Sequence, residues 1–145
     1  MHELSIAQSI VDFASSETER QNAKKVTELN VDVGELMQLD AEVLLNALKM
    51  LTTDMRMKDC KVRLRVVSAS FSCRRCSSRW GMAEAKRQLG TLPPDLKVEK
   101  PESDELPLHF FPYLYPAFIH CPRCGSSDVA VTEGEDVQIR RLVLE

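Results

Sequence analysis

Two short stretches, Cys73-Arg-Arg-Cys76 and Cys121-Pro-Arg-Cys124, decide how the rest of the chain reads. Each places two thiols so that both sulfurs of one turn face the same point. Two such turns together offer the four thiolates of a tetrahedral S4 site of the kind that holds zinc. The forty-four residues from 77 to 120 then become a loop closed through metal. Gly125, directly after the second pair, permits a positive-φ turn that aims backbone amides at the sulfurs. A redox CxxC and a pair of disulfides are the competing uses of such motifs, and two clamps in one chain suit a metal better.

Outward from the clamps, the composition is that of a soluble globular chain with 145 residues, 19 basic and 22 acidic, and a net charge of -3. No apolar run approaches the length of a membrane span, and the start lacks the basic-then-apolar order of a signal peptide. A cytoplasmic protein is expected, in a compartment that keeps thiols reduced and free for metal. The acidic balance, without a long basic run, argues against non-specific nucleic-acid binding. Cys60 stands apart from both clamps and reads as a small buried hydrophobe.

The segments around the clamps alternate between helix and strand periods. Apolar residues at 4, 6, 7, 10, 11, 13 and 14 predict an amphipathic helix to about Gln21, and Ser5 with Gln8 also fits a capping box that would start it later. Leu29, Val31 and Val33 alternate with Glu28, Asn30 and Asp32, the period of a strand buried on one face, which Gly34 ends. Asp40 suits an N-cap for a second helix carrying Val43, Leu44, Ala47, Leu48 and Leu51. From Lys61 the alternation runs through Val62, Leu64 and Val66, then slips to Val67, Ala69 and Phe71. That phase change implies a bulge or a change of surroundings just before Cys73.

Between the clamps, residues 79–82 suit a short ribbon strand, and residues 83–108 read as a polar excursion that is helical only at its start. An aromatic cluster follows at 108–116, then another ribbon strand at 128–132. Val137, Ile139, Leu142 and Leu144 form a last strand with a slip at Arg140-Arg141, whose simplest use is to rejoin the first sheet. The expected fold is α+β, a small domain of two helices and about three strands with an inserted zinc-ribbon-like domain. The boundaries fall at 1–70 with 134–145 for the first and 71–133 for the second, long insert included.

A closed four-thiolate site does no chemistry and supplies folding free energy instead. The N-terminal end offers a different donor set. The Met1 amine, the His2 amide nitrogen and the His2 imidazole can form fused chelate rings around a square-planar Ni(II) or Cu(II). A histidine at position 2 is also read simply as incidental, and Glu3 as an acid favoured by the helix dipole that could lend a further donor. His109, in the aromatic stretch, is a candidate for a second metal contact, whereas His120 beside Cys121 is assigned a packing role.

Together, Met1-His2-Glu3 opening the first helix, Val33-Gly34-Glu35-Leu36 ending the first strand, the two CxxC clamps and the closing Ile139-Arg140-Arg141 strand resemble the HypA/HybF family of nickel-insertion chaperones for [NiFe]-hydrogenase. The resemblance covers nearly the whole chain, and the long insert makes it similar to the longer, archaeal-type members. It implies a nickel metallochaperone and not an enzyme, with Ni(II) as transient cargo at Met1, His2 and Glu3, joined by His109 in the longer type. It also implies structural Zn(II) at Cys73, Cys76, Cys121 and Cys124. The partners it implies are a HypB-type GTPase and the hydrogenase large subunit; self-association stays open, and neither membrane nor nucleic acid is expected.

Two other classes compete on residues alone. A zinc-ribbon nucleic-acid module would draw on Arg74, Arg75, Arg79 and Arg123, and a rubredoxin-like electron carrier would place iron in the same thiolates, although Ser77 replaces the glycine expected after Cys76.

Overall fold

The computed structural model describes residues 3–52, 56–90 and 119–145. In chain order the elements are α1 (Glu3–Arg20), β1 (Val26–Gly34), a 3-10 turn (Glu35–Met37), α2 (Ala41–Leu51), β2 (Lys61–Val67), β3 (Ser70–Cys73), β4 (Arg79–Gly81), α3 (Met82–Gly90), β5 (Val129–Glu133) and β6 (Val137–Leu144). The strands form two three-stranded sheets ordered β2-β1-β6 and β4-β3-β5, an α+β architecture. The chain divides into two compact units, one of residues 1–33, 39–66 and 137–145, the other of residues 34–38 and 67–136.

In the first unit α1 presents Ile6, Ala7, Ile10, Val11 and Ala14 on one stripe, all buried, and packs along α2, whose inward residues are Leu44, Ala47 and Leu48. The helix already begins at Glu3, ahead of the alternative cap at Ser5. Asp40 is the N-cap of α2, its carboxylate accepting from the Val43 backbone N–H at 3.1 Å. The central strand β1 buries Leu29, Val31 and Val33. β6 returns antiparallel beside it with Val31 opposite Ile139 and Asn30 opposite Arg141, so the expected slip at Arg140-Arg141 is a register shift in this ladder.

The slip near Val66-Val67 has a different cause. β2 belongs to the first sheet and β3 to the second, so the buried face changes because the surroundings change. In the second unit Phe71 and Val129 are fully buried with Ile119, Ala85, Met82 and Trp80, and Leu36 from the 3-10 turn joins the same cluster. Phe71 and Trp80, opposite each other across β3 and β4, stack with ring centroids 6.0 Å apart. Only the start of the polar excursion is described, as α3; the aromatic stretch at 108–116 lies outside the described residues.

Gly34 is buried at φ -67°, a conformation open to any residue. Its requirement is space: a Cβ there would stand 2.4 Å from the carbonyl carbon and oxygen of Gly134 and 2.8 Å from the Asp136 oxygen.

Candidate metal centre

The two clamps fold alike. Cys73 ends β3, and the chain turns so that the Ser77 N–H donates to the Cys73 carbonyl at 2.9 Å while the Cys73 N–H donates to the Ser78 carbonyl at 2.8 Å. In the second clamp the Gly125 N–H donates to the Cys121 carbonyl at 2.9 Å, and the Cys121 N–H to the Ser126 carbonyl at 2.9 Å. The residue after each second cysteine is left-handed, Ser77 at φ 63° and Gly125 at φ 76°. Serine therefore fills the role expected of glycine. Both turns also direct two amides at the first sulfur. Arg75 and Cys76 each donate to Cys73 Sγ at 3.4 Å, and Arg123 and Cys124 each donate to Cys121 Sγ at 3.4 Å.

These turns bring the four sulfurs to within 4.8 Å of one another. Cys73 Sγ lies 3.6 Å from Cys124 Sγ, and Cys76 Sγ lies 3.5 Å from Cys121 Sγ. Zn–S bonds of about 2.3 Å in a tetrahedron require sulfur–sulfur edges of roughly 3.8 Å, so the donor set fits that ion with little adjustment. None of the five cysteines is in a disulfide.

Local electrostatics prepare part of the set. Cys76 Sγ is 3.2 Å from Ser78 Oγ, and hydrogen bonding from the Ser78 side chain and then its backbone N–H lowers the thiol to about 6. At Cys121 burial raises the pKa, but the Cys124 and Arg123 amides outweigh it and the net direction is downward. Cys124 goes the other way, to about 11. The Ser126 amide lowers it, and this is overcome by desolvation and by the neighbouring sulfurs of Cys73, Cys121 and Cys76.

The surrounding contacts hold the clamps in register. Arg74 pairs with the Asp128 carboxylate at 2.9 Å, and its backbone N–H donates to the Asp128 carbonyl at 3.0 Å, which ties the first clamp to the start of β5. From α3, Gln88 grips the His120 backbone on both sides, its amide donating to the carbonyl at 2.6 Å and its oxygen accepting from the N–H at 3.0 Å. The chain thus enters the second clamp already fixed, with Ile119 fully buried just before it. His120 itself is exposed, so its assigned packing role falls to its backbone. Cys60 is half-buried and outside the cluster; burial and then Glu28 push its thiol upward.

Sequence reading did not single out Gln88, Ser78 or Asp128. Ser78 had a signal: both clamps read Cys-x-x-Cys-x-Ser, with Ser78 and Ser126 in equivalent positions. Gln88 and Asp128 carried none.

Of the residues expected at the nickel end, Met1 and His2 lie outside the described residues, as does His109. Glu3 is described. It is the first residue of α1, and its Oε1 accepts from the Asp40 backbone N–H at 3.0 Å, joining the start of α1 to the start of α2.

Comparison with known proteins agrees with this layout. A family model described as hydrogenase/urease nickel incorporation, metallochaperone, HypA matches residues 1–144. The hydrogenase maturation factor HypA of Pyrococcus abyssi is 33% identical over 145 residues, covering 100% of this chain and 96% of the relative. That of Thermococcus onnurineus is 32% identical with the same coverage. The solution structure of the Ni metallochaperone HypA from Helicobacter pylori superposes with a TM-score of 0.58 at 18% identity over 99% of this chain and 97% of that one, a likeness of fold. The chain belongs to the HypA family of hydrogenase maturation metallochaperones.

Proposed function

We propose that this chain carries Ni(II) at its N-terminal end and delivers it to the large subunit of [NiFe]-hydrogenase, in concert with a HypB-type GTPase. The observation that carries this reading is the family match over residues 1–144, which takes in the N-terminal donors, both clamps and the closing strand together.

The Met1 amine, the His2 amide nitrogen and the His2 imidazole form a planar nitrogen set suited to a d8 ion, with Glu3, and His109 from the insert, as further donors. The Glu3 carboxylate accepts one hydrogen bond from Asp40 and so keeps acceptor capacity for a metal. A site at a chain terminus that leaves a coordination position open allows a donor from the receiving protein to enter and the ion to leave. Such exchange is what delivery requires, and the chain works as a carrier.

Cys73, Cys76, Cys121 and Cys124 hold structural Zn(II), whose chemistry is to close and stabilise the second unit. The division of labour is a nickel-binding domain built on the first sheet and a zinc-binding domain that carries the insert. The site of action is the cytoplasm, and no helix among the described residues is long and apolar enough to cross a membrane.

Nickel transfer tests the reading. Chain loaded with radioactive nickel should pass the metal to apo large subunit faster when the GTPase and GTP are present, and His2→Ala should abolish transfer while leaving zinc in place. Transfer by His2→Ala at the wild-type rate would refute it.

A further inference from the structure

The outer edge of β6 is a feature that neither metal site uses. Among the described residues β6 pairs with β1 on one side and with no strand on the other. Lys25 and Glu145 exchange backbone hydrogen bonds at 3.2 and 2.9 Å, and the Gly34 N–H donates to the Asp136 carbonyl at 2.7 Å. Successive residues of an antiparallel strand turn their N–H and C=O alternately toward and away from the neighbouring strand. Counting inward from those two ends, with the register shift beside Arg140 absorbing one residue, Val137, Ile139, Leu142 and Leu144 direct their backbone groups to the open side.

The same four residues share a face with the core. They stand opposite Val33, Val31, Leu29 and Val26 of β1, all buried, yet they are themselves only half-buried. What leaves them uncovered is a groove between β6 and α1. The walls of its first part, about 670 Å³, include Ile6, Ile10 and Phe13 of α1 with Val137 and Ile139 of β6. A second part, also bordered by Phe13 and Ile139, follows Leu142 and Leu144. Phe13 is 50% exposed there.

We propose that an extended segment of a partner protein adds to this edge as a fourth strand, with every second side chain apolar and seated in the groove. Open N–H and C=O groups in a row are matched by another extended backbone, whereas a helix uses its own internally. The side chains that such a strand turns toward α1 meet isoleucine, phenylalanine and valine. Those between them lie beside Arg140 and Arg141, which share Asp32 and Glu28 with Arg65 and Arg63, two carboxylates among four guanidiniums. Neutral or acidic residues suit these positions and basic ones do not. A second copy is the nearest rival, because a dyad between Arg140 and Arg141 would set Val137 opposite Leu144 and Ile139 opposite Leu142. It would also set Arg140 opposite Arg141 twice, and like charges directly opposite each other destabilise a strand pair.

The test is fluorescence anisotropy on the zinc-loaded full chain with a labelled ten-residue peptide that alternates valine with threonine and glutamate. The controls are a peptide of the same composition with its valines grouped, and two forms of the alternating peptide N-methylated on one or the other set of alternate amides. The alternating peptide should bind about tenfold more tightly than the grouped one, and only one methylated set should remove binding, because only one set faces β6. Amides of residues 137, 139, 142 and 144 should exchange quickly in the free chain and slowly with the peptide bound. Phe13→Ser should weaken binding about tenfold, and Met50→Ser, at an exposed position on α2 outside the groove, should leave it unchanged. Both side chains are exposed, so neither change removes core packing. No binding, equal binding of the alternating and grouped peptides, equal effects of the two methylated sets, or wild-type affinity in Phe13→Ser would each overturn the proposal. So would protection of the four amides in a free chain that sediments as a dimer, which would give the edge to a second copy.

Discussion

Replacing Gly34 by alanine probes a close backbone approach in the second unit. The new Cβ would stand 2.4 Å from two Gly134 backbone atoms and 2.8 Å from the Asp136 oxygen, about 1 Å inside ordinary contact, and none of these atoms is the mobile end of a side chain. Relief requires the two backbones to separate. That separation strains two hydrogen bonds at the same place, from the Gly34 N–H to the Asp136 carbonyl at 2.7 Å and from the Leu36 N–H to the Gly134 carbonyl at 2.9 Å. Overpacking costs about 1–3 kcal/mol and each lost bond about 1 kcal/mol, so Gly34→Ala should destabilise the second unit by about 3–5 kcal/mol. Gly81→Ala is the control, since its nearest neighbour would be the Ala69 oxygen at 3.8 Å. It should change stability by less than about 1 kcal/mol. Urea unfolding followed by fluorescence reads the second unit directly, because Trp80 is the only tryptophan and is 9% exposed in that core. A Gly34→Ala midpoint equal to that of Gly81→Ala would refute the steric argument.

Three further outcomes follow from the metal centre and the first unit. Structural zinc contributes about 10–16 kcal/mol of binding, as much as a domain's whole stability, so stripping it with a strong chelator should red-shift Trp80 emission while the far-ultraviolet signal of α1 and α2 persists. Unchanged emission would contradict a folding role for the metal. With Cys76 at about 6 and Cys124 at about 11, the first is a thiolate at neutral pH and the second a thiol. Zinc loading should therefore release at least one proton but fewer than four, and affinity should fall more steeply once pH drops below about 6 and protons compete at Cys76 as well; calorimetry in buffers of different ionisation enthalpy counts them. Release of four at neutral pH would contradict it. Asp40→Ala removes the cap on α2 and should cost about 1 kcal/mol in thermal unfolding, with no loss leaving the bond to Val43 without consequence.

Much of this was legible in residue order because one physical cause dominated each signal. The stripe from Ile6 to Ala14 and the alternation from Leu29 to Val33 report one-sided burial, which sequence expresses directly. The slips near Val66 and Arg140 were visible too, although sequence could not say that the first marks a change of sheet and the second a register shift within one. The cysteine spacing pointed to a common site because two residues between thiols suit one turn and little else. Contacts joining distant residues left no such trace. Leu36 entering the second unit's core, Gln88 gripping His120, and Arg74 meeting Asp128 each pair residues that are ordinary in their local context and meaningful only through tertiary placement. Glycine at position 34 ends the strand as its sequence context implies, but its need for a bare Cα comes from a neighbouring backbone a hundred residues away, which residue order does not show.

The most direct test is nickel titration with metal analysis on protein bearing its native, untagged N-terminus, beside His2→Ala and an N-terminally extended form. The native chain should bind one Ni(II) beyond its zinc, and both altered forms should lose that nickel while retaining zinc in the four thiolates. Equal nickel binding by all three would contradict a terminal delivery site.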